Sequence, residues 1–194
     1  MNKNKNNKSI NWIELRGRER RGPEGILNKN CFIIDMDGVI YHGDRLLPGV
    51  PEFINWLQKE NKKYLFLTNG STRTPEEIQS KLKRLGLEVP ASSFHTSAIS
   101  TAMFLHSQKP NGRAFVIGDN GLLQALKDVN YNILDDTSLD VVPDYVVVGE
   151  TRNYNFELLE RAINYVYKGN QFFLKKKKNP KKKKKKSKNF QVQN

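Results

Sequence analysis

The segment Phe32-Ile33-Ile34-Asp35-Met36-Asp37-Gly38-Val39-Ile40 constrains the fold more than any other stretch of the 194 residues. An apolar run leads straight into two aspartates separated by one residue, and then a glycine. A short β-branched and aromatic run bounded by glycine reads as a buried parallel strand. In open α/β sheets, side chains at the carboxyl ends of such strands open into the ligand crevice. Asp35 and Asp37 are therefore expected together at a mouth. Tyr64-Leu65-Phe66-Leu67-Thr68-Asn69-Gly70-Ser71 repeats the pattern, emptying into small hydrogen-bonding residues. One helix-length segment separates the two runs, so they form a βαβ unit with both strand ends on the same edge. Thr68 and Asn69 then face the two aspartates.

This constellation suits phosphoryl transfer. A carboxylate can attack phosphorus and carry it as an aspartyl-phosphate, a role open to Asp35, and Asp37 can protonate the leaving oxygen and then activate water. The pair also attracts Mg²⁺, which prefers carboxylate oxygens and keeps several waters. Gly38 lets backbone approach the phosphate and offers an amide donor. A plain turn after a strand explains Asp-Met-Asp-Gly alone. It does not explain the second segment.

The remaining elements follow from spacing. Val50, Phe53, Ile54 and Leu57 predict an amphipathic crossover helix over 48–61. Thr74-Pro75-Glu76-Glu77 is a capping box with proline at the first helical position; Ile78, Leu82 and Leu85 form its apolar stripe, and Gly86 ends it. A third helix is expected over 97–108, capped by Thr96 or Ser97. Strands are predicted at 114–117 and 145–148, and helices at 122–129 and 156–167, the latter capped by Asn155.

Asp35-Met36-Asp37-Gly38-Val39-Ile40 followed by Leu67-Thr68-Asn69 resembles the first two motifs of the haloacid dehalogenase superfamily. Pro48-Gly49, Phe94-His95-Thr96-Ser97-Ala98 and Val148-Gly149-Glu150-Thr151-Arg152-Asn153-Tyr154-Asn155 are similar to its NagD-type branch, subclass IIA. The resemblance covers roughly residues 31 to 174. It implies an α/β fold: part of a parallel Rossmann-like core at 31–109, interrupted by an inserted, incomplete α/β cap at 110–174. It implies Asp35 as nucleophile, Asp37 as acid/base, both as Mg²⁺ ligands, and Gly38, Thr68 and Asn69 as phosphate-binding. The expected substrate is a small phosphorylated metabolite such as a nucleoside monophosphate. Arg152 and Tyr154, just past a strand, are candidates for substrate specificity. The family's catalytic lysine, Gly-Asp metal segment and last core strands follow the cap and have no counterpart here, so impaired activity is expected. Val116-Ile117-Gly118-Asp119-Asn120 imitates that metal segment, but its position before the later cap elements makes Asp119 a turn residue.

Charge separates this body from its ends. Residues 1–30 carry a net +5, residues 31–174 a net −3, and residues 175–194 a net +11, which together make the +13 of the chain. The positive charge lies in segments too polar to bury a core, so both ends are expected to be disordered. A lysine tail with Phe190 as its single aromatic lacks the interleaving of a single-strand binder, although it would bind polyanions at low salt. Its start within the apolar run Gln171-Phe172-Phe173-Leu174 suggests a frameshift, which resequencing the locus would test. A receiver-like phosphoacceptor shares the acidic strand ends but not the cap segment. Cys31, the single cysteine, suits a reducing compartment and a cytoplasmic protein. No apolar stretch reaches the ~18 residues of a membrane span. His42, His95 and His106 lack metal-ligand spacing and are read as surface or capping residues. Oligomeric state has no signature.

Overall fold

The computed structural model describes residues 24–135, 141–168 and 171–174. Trp12 and the lysine tail therefore lie outside the described residues. After a single helical turn, α1 (Glu24–Leu27), the chain enters β1 (Cys31–Asp35), a small antiparallel hairpin of β2 (Tyr41–His42) and β3 (Arg45–Leu46), α2 (Val50–Lys59) and β4 (Lys63–Thr68). There follow α3 (Pro75–Arg84), β5 (Phe94–Thr96) and α4 (Ser97–Gln108). The second half contains β6 (Arg113–Ile117), α5 (Asn120–Asp128), β7 (Asn132–Ile133), β8 (Tyr145–Val148), α6 (Phe156–Tyr167) and β9 (Gln171–Leu174).

The strands form two parallel sheets. In the first, ordered β1-β4-β5, Asp35 pairs with Leu67 and Thr68 with Thr96. The βαβ unit expected from the two apolar runs is present. Side-chain alternation then decides which face is covered. Ile34 and Phe66 point into a core with Ile54 and Leu57 of α2 and Ile78 and Leu82 of α3. Phe32 reaches Phe53 and Trp56 of α2 in edge-on contacts with centroids 6.0 and 5.8 Å away. The other face is open: Ile33 is 72% and Leu67 45% exposed, and β1 has β4 as its one neighbour among the described residues. An apolar strand with a free edge invites further pairing.

The second sheet, ordered β7-β6-β8-β9, is parallel throughout. Every residue of β8 is buried, as expected of a strand covered on both faces. Leu122 and Leu126 of α5 and Ala98 and Leu105 of α4 cover one face, and Ala162 and Tyr165 of α6 the other. Helix α4 thus joins the two halves. Its first residues bond the β4 loop, while its apolar face packs with α5.

The helix ends obey local chemistry. Thr74 and Glu77 close the expected capping box, with Thr74 N–H donating to Glu77 Oε2 at 2.8 Å and Glu77 N–H to Thr74 Oγ1 at 3.3 Å. Thr96 caps α4 through Ile99 N–H at 3.2 Å, and Asn155 caps α6 through Leu158 N–H at 2.8 Å. The crossover helix α2 starts later than its apolar spacing suggested. Gly49 occupies the cap at φ +84, a conformation costly for any residue with a Cβ.

One packing contact has a pH signature. Tyr131 is buried, and its hydroxyl donates to the carbonyls of Leu105 at 2.8 Å and Lys109 at 2.7 Å, tying α5's exit to the end of α4. Burial, then the nearby Tyr145 and Asp144, push its pKa up to about 12 from 10.0. A raised pKa means that the folded state holds the proton more tightly. This contribution is therefore complete below about 10 and is lost as pH rises towards 12. Urea denaturation of Tyr131→Phe should show less alkaline destabilisation than the parent between these limits, by up to about 2–3 kcal/mol. Parallel curves would mean that folding does not raise the phenol's pKa.

Candidate active site

Residues at the carboxyl ends of β1 and β4 form the candidate site, and the parallel register places them side by side. Asp35, the last residue of β1, is exposed, and its Oδ1 accepts the Met36 N–H at 2.8 Å. Met36 is buried and exposed Asp37 follows it, so the chain turns the second carboxylate outward two residues later. Gly38 has φ +79, and an added Cβ there would meet nothing within 4 Å. Its N–H, expected to be open to a ligand, instead donates to the Tyr41 carbonyl at 2.9 Å and closes the turn into the hairpin. Across the strand pair, buried Thr68 accepts the Gly70 N–H on Oγ1 at 3.1 Å. A hydroxyl used as an acceptor still has its proton to donate. Asn69 is exposed at the same mouth.

Sequence reading did not foresee three residues here. Tyr41 sits over the turn. Burial raises its phenol pKa, with the Asp37 charge and a hydrogen-bonding approach to Asp37 adding to it; Asp35 acts the same way more weakly, and the Arg73 charge opposes. The phenol, both carboxylates and the Arg73 guanidinium therefore share one electrostatic neighbourhood. Lys81 of α3 places Nζ 4.0 Å from the Tyr41 ring centroid and donates to the Gly43 carbonyl at 2.9 Å, holding the hairpin against the site. These contacts join residues about 40 positions apart, which periodicity cannot reveal.

Lys81→Met keeps the aliphatic stem and removes the charge, so it should cost about 1–2 kcal/mol. The Lys81–Asp44 ion pair is 3.8 Å long with the Asp44 side chain 93% exposed. Asp44→Asn should therefore change stability by less than about 0.5 kcal/mol. Equal losses in urea denaturation would contradict this ranking.

The other candidates lie on the second sheet. Strands β7 and β8 flank β6 on opposite sides, so the winding reverses between β6 and β8, where α/β sheets commonly receive ligands. Here the loop after β4 meets that position. Gly121 N–H donates to the Thr72 carbonyl at 3.0 Å, Glu150 N–H to Ser71 Oγ at 3.3 Å, and Asn120 Nδ2 to Glu77 Oε1 at 2.9 Å. Asp119 caps α5 without a side-chain bond to the helix, and its Oδ1 accepts the Thr151 hydroxyl at 2.5 Å. Its partner lies past β8, on the connection to α6. Arg152 and Tyr154 are exposed on the β8–α6 connection. The Tyr154 hydroxyl folds back to the Gly149 carbonyl at 2.6 Å, so part of its polarity serves the loop.

The donor set suits a hard cation. Asp35 and Asp37 offer two exposed carboxylates, and Mg²⁺ is usually bound through one or two carboxylates, with waters and substrate phosphate completing the shell. Among the described residues no cluster of three or more His, Cys, Asp or Glu side chains is suited to a metal. His95 Nε2 lies 2.8 Å from Ser100 Oγ and His106 Nδ1 3.2 Å from the Val129 carbonyl, while His42 is exposed.

A parallel α/β sheet with paired acids at one strand end and a hydroxyl–amide pair at the next defines a HAD-type fold. Residues 32–132 match the model of the haloacid dehalogenase-like hydrolase family. The chain belongs to that family. It is 40% identical over 141 residues to a dihydroxyacetone phosphatase of Corynebacterium glutamicum, covering 73% of this chain and 50% of the relative. It is 35% identical over 140 residues to the ribonucleotide monophosphatase NagD of Escherichia coli, covering 72% and 54%. The solved structure of NagD from Escherichia coli K-12 superposes with a TM-score of 0.69 at 33% identity, over 76% of this chain and 56% of that one. The chain thus spans about half the length of the relatives it matches. Among the described residues, no helix is long and apolar enough to cross a membrane.

Proposed function

We propose that the protein is a Mg²⁺-dependent phosphatase of small phosphate monoesters, working through an aspartyl-phosphate on Asp35. The observation that carries this reading is the pairing of Asp35 with Leu67 across β1 and β4, which sets Asp35 and Asp37 beside Thr68 and Asn69. An Asp35 oxygen attacks phosphorus while the bond to the leaving oxygen breaks, and Asp37 donates its proton to that oxygen. Asp37, now a carboxylate, takes a proton from water as the water attacks phosphorus. The bond to Asp35 then breaks, releasing inorganic phosphate and restoring both groups. Thr68 and Asn69 hold phosphoryl oxygens, and Gly38 keeps the approach free of a side chain. Mg²⁺ bound by Asp35 and Asp37 would offset the negative charge of nucleophile and phosphoryl group.

Arg152 and Tyr154 are assigned to substrate choice, because their loop adjoins the one carrying Ser71. The relatives are named for dihydroxyacetone and ribonucleotide monophosphates, which makes a small phosphorylated metabolite the first class to try. A cytoplasmic setting fits the single cysteine. The test is hydrolysis of p-nitrophenyl phosphate and a panel of nucleoside monophosphates with and without Mg²⁺, beside Asp35→Asn. Weak Mg²⁺-dependent turnover that the variant loses is expected. Turnover that Asp35→Asn leaves intact would sink the proposal.

A further inference from the structure

Ser97 is the first residue of α4, is only 4% exposed, and lies 27 and 28 positions from the two groups it contacts. Its hydroxyl donates to the Asn69 carbonyl at 2.8 Å and is shared with the Gly70 carbonyl at 3.0 Å. Helix capping does not need this hydroxyl, because Thr96 already receives the Ile99 N–H.

The effect on the loop follows from peptide geometry. Among the described residues no peptide bond is cis, so each N–H points opposite to the carbonyl of its own peptide plane. Strand β4 has β5 and the start of α4 on one side and β1 on the other. Ser97 draws the Asn69 and Gly70 carbonyls towards α4. The Asn69–Gly70 plane thereby aims the Gly70 N–H at Thr68 Oγ1, 3.1 Å away, and the Gly70–Ser71 plane turns the Ser71 N–H away from α4. With its oxygen accepting that N–H, Thr68 has its hydroxyl proton left to donate.

We propose that Ser97 is a positioning residue of the phosphate site: by orienting the peptide planes after Asn69 and Gly70 it holds the Gly70 N–H on Thr68 Oγ1, so that the Thr68 hydroxyl proton and the Ser71 N–H are presented to a tetrahedral oxyanion. This rests on the phosphatase reading above and adds a residue to it. Without the hydroxyl, both carbonyls lose their donor and the planes can rotate. Oxyanion affinity should then fall about tenfold, the scale of one to two hydrogen bonds.

The test is titration of the full chain with inorganic phosphate in the presence of Mg²⁺, following the Gly70 and Ser71 amides by ¹H–¹⁵N NMR, with thermal melts in parallel. In the parent protein both amides should shift with phosphate, and in Ser97→Ala the same titration should show about tenfold weaker binding well below the melting temperature. A variant that melts earlier but binds phosphate with unchanged affinity would reduce Ser97 to a structural contact and overturn the proposal, leaving the phosphatase reading in place. A parent protein in which phosphate moves none of the amides from Thr68 to Ser71 would overturn both, and that failure is visible in the parent alone. If Ser97→Ala does not fold, Ser97→Cys replaces it with a similar volume and a weaker donor. A several-fold loss of affinity is then expected, and none would refute the role.

Discussion

Asp35→Asn is expected to abolish whatever phosphate-ester turnover the parent shows and to leave no acid-stable phosphorylated protein, while folding normally. The carboxamide has nearly the shape of the carboxylate, and its oxygen can still accept the Met36 N–H that Asp35 Oδ1 accepts at 2.8 Å. Asp35 is exposed, so stability should move by no more than about 0.5 kcal/mol. Chemistry changes instead, because an amide oxygen is a far poorer nucleophile than a carboxylate. Asp37→Asn should behave differently. Losing a positioned proton donor and base costs about 10²–10⁴-fold. That loss should be milder in the first step for p-nitrophenyl phosphate, whose leaving phenolate needs no proton. Water attack would still be slow, so the Asp37 variant should accumulate phosphorylated Asp35. Mass spectrometry of acid-quenched samples reads both outcomes. Phosphorylated protein in Asp35→Asn would move the nucleophile elsewhere.

Gly121→Ala should destabilise the protein by about 2–3 kcal/mol, the range for forcing a methyl group into a close-packed site. An alanine Cβ at this position would lie 2.5 Å from the Arg73 carbonyl oxygen, 2.6 Å from its carbon and 2.7 Å from its nitrogen. Backbone atoms cannot swing aside, so α5 and the loop after β4 must separate. The Gly121–Thr72 hydrogen bond would be strained with them. Gly149 supplies the contrast. Its added Cβ would meet Leu122 Cδ2 at 2.6 Å, the far end of a flexible side chain, and Ser71 Oγ at an ordinary 3.5 Å. Gly149→Ala should therefore cost less than Gly121→Ala in urea denaturation. Equal stability of Gly121→Ala and parent would show that α5 does not rest on the Ser71–Arg73 loop in solution. Because that loop also carries the Arg73 guanidinium, whose charge acts on the Tyr41 phenol, the Gly121 variant should disturb the site as well as the fold.

Much of the local architecture was legible in residue order, because the forces that set it act over one strand or a few helical turns. The apolar run ending at Asp35, the capping box at Thr74 and Glu77, and the Asn155 cap each appear where their spacing placed them. The two acids and the Thr68-Asn69 pair were also readable, since a βαβ unit brings its strand ends to one edge whatever the rest of the chain does. What could not be read is whatever depends on which surfaces meet. Ser97 looked like an alternative cap and is instead a donor to the Asn69 and Gly70 carbonyls. Asp119 looked like a turn residue, and its carboxylate is engaged by Thr151, 32 positions later. Lys81 gave no sign that its amine would lie over the Tyr41 ring. Sequence by itself determined the longer helices and strands, the strand-end acids and the family, but not α1, the β2–β3 hairpin, β5 or β7. Tertiary structure alone decided how the second sheet docks on the β4 loop and which buried donors orient it, because such contacts pair groups tens of residues apart whose proximity no local period encodes.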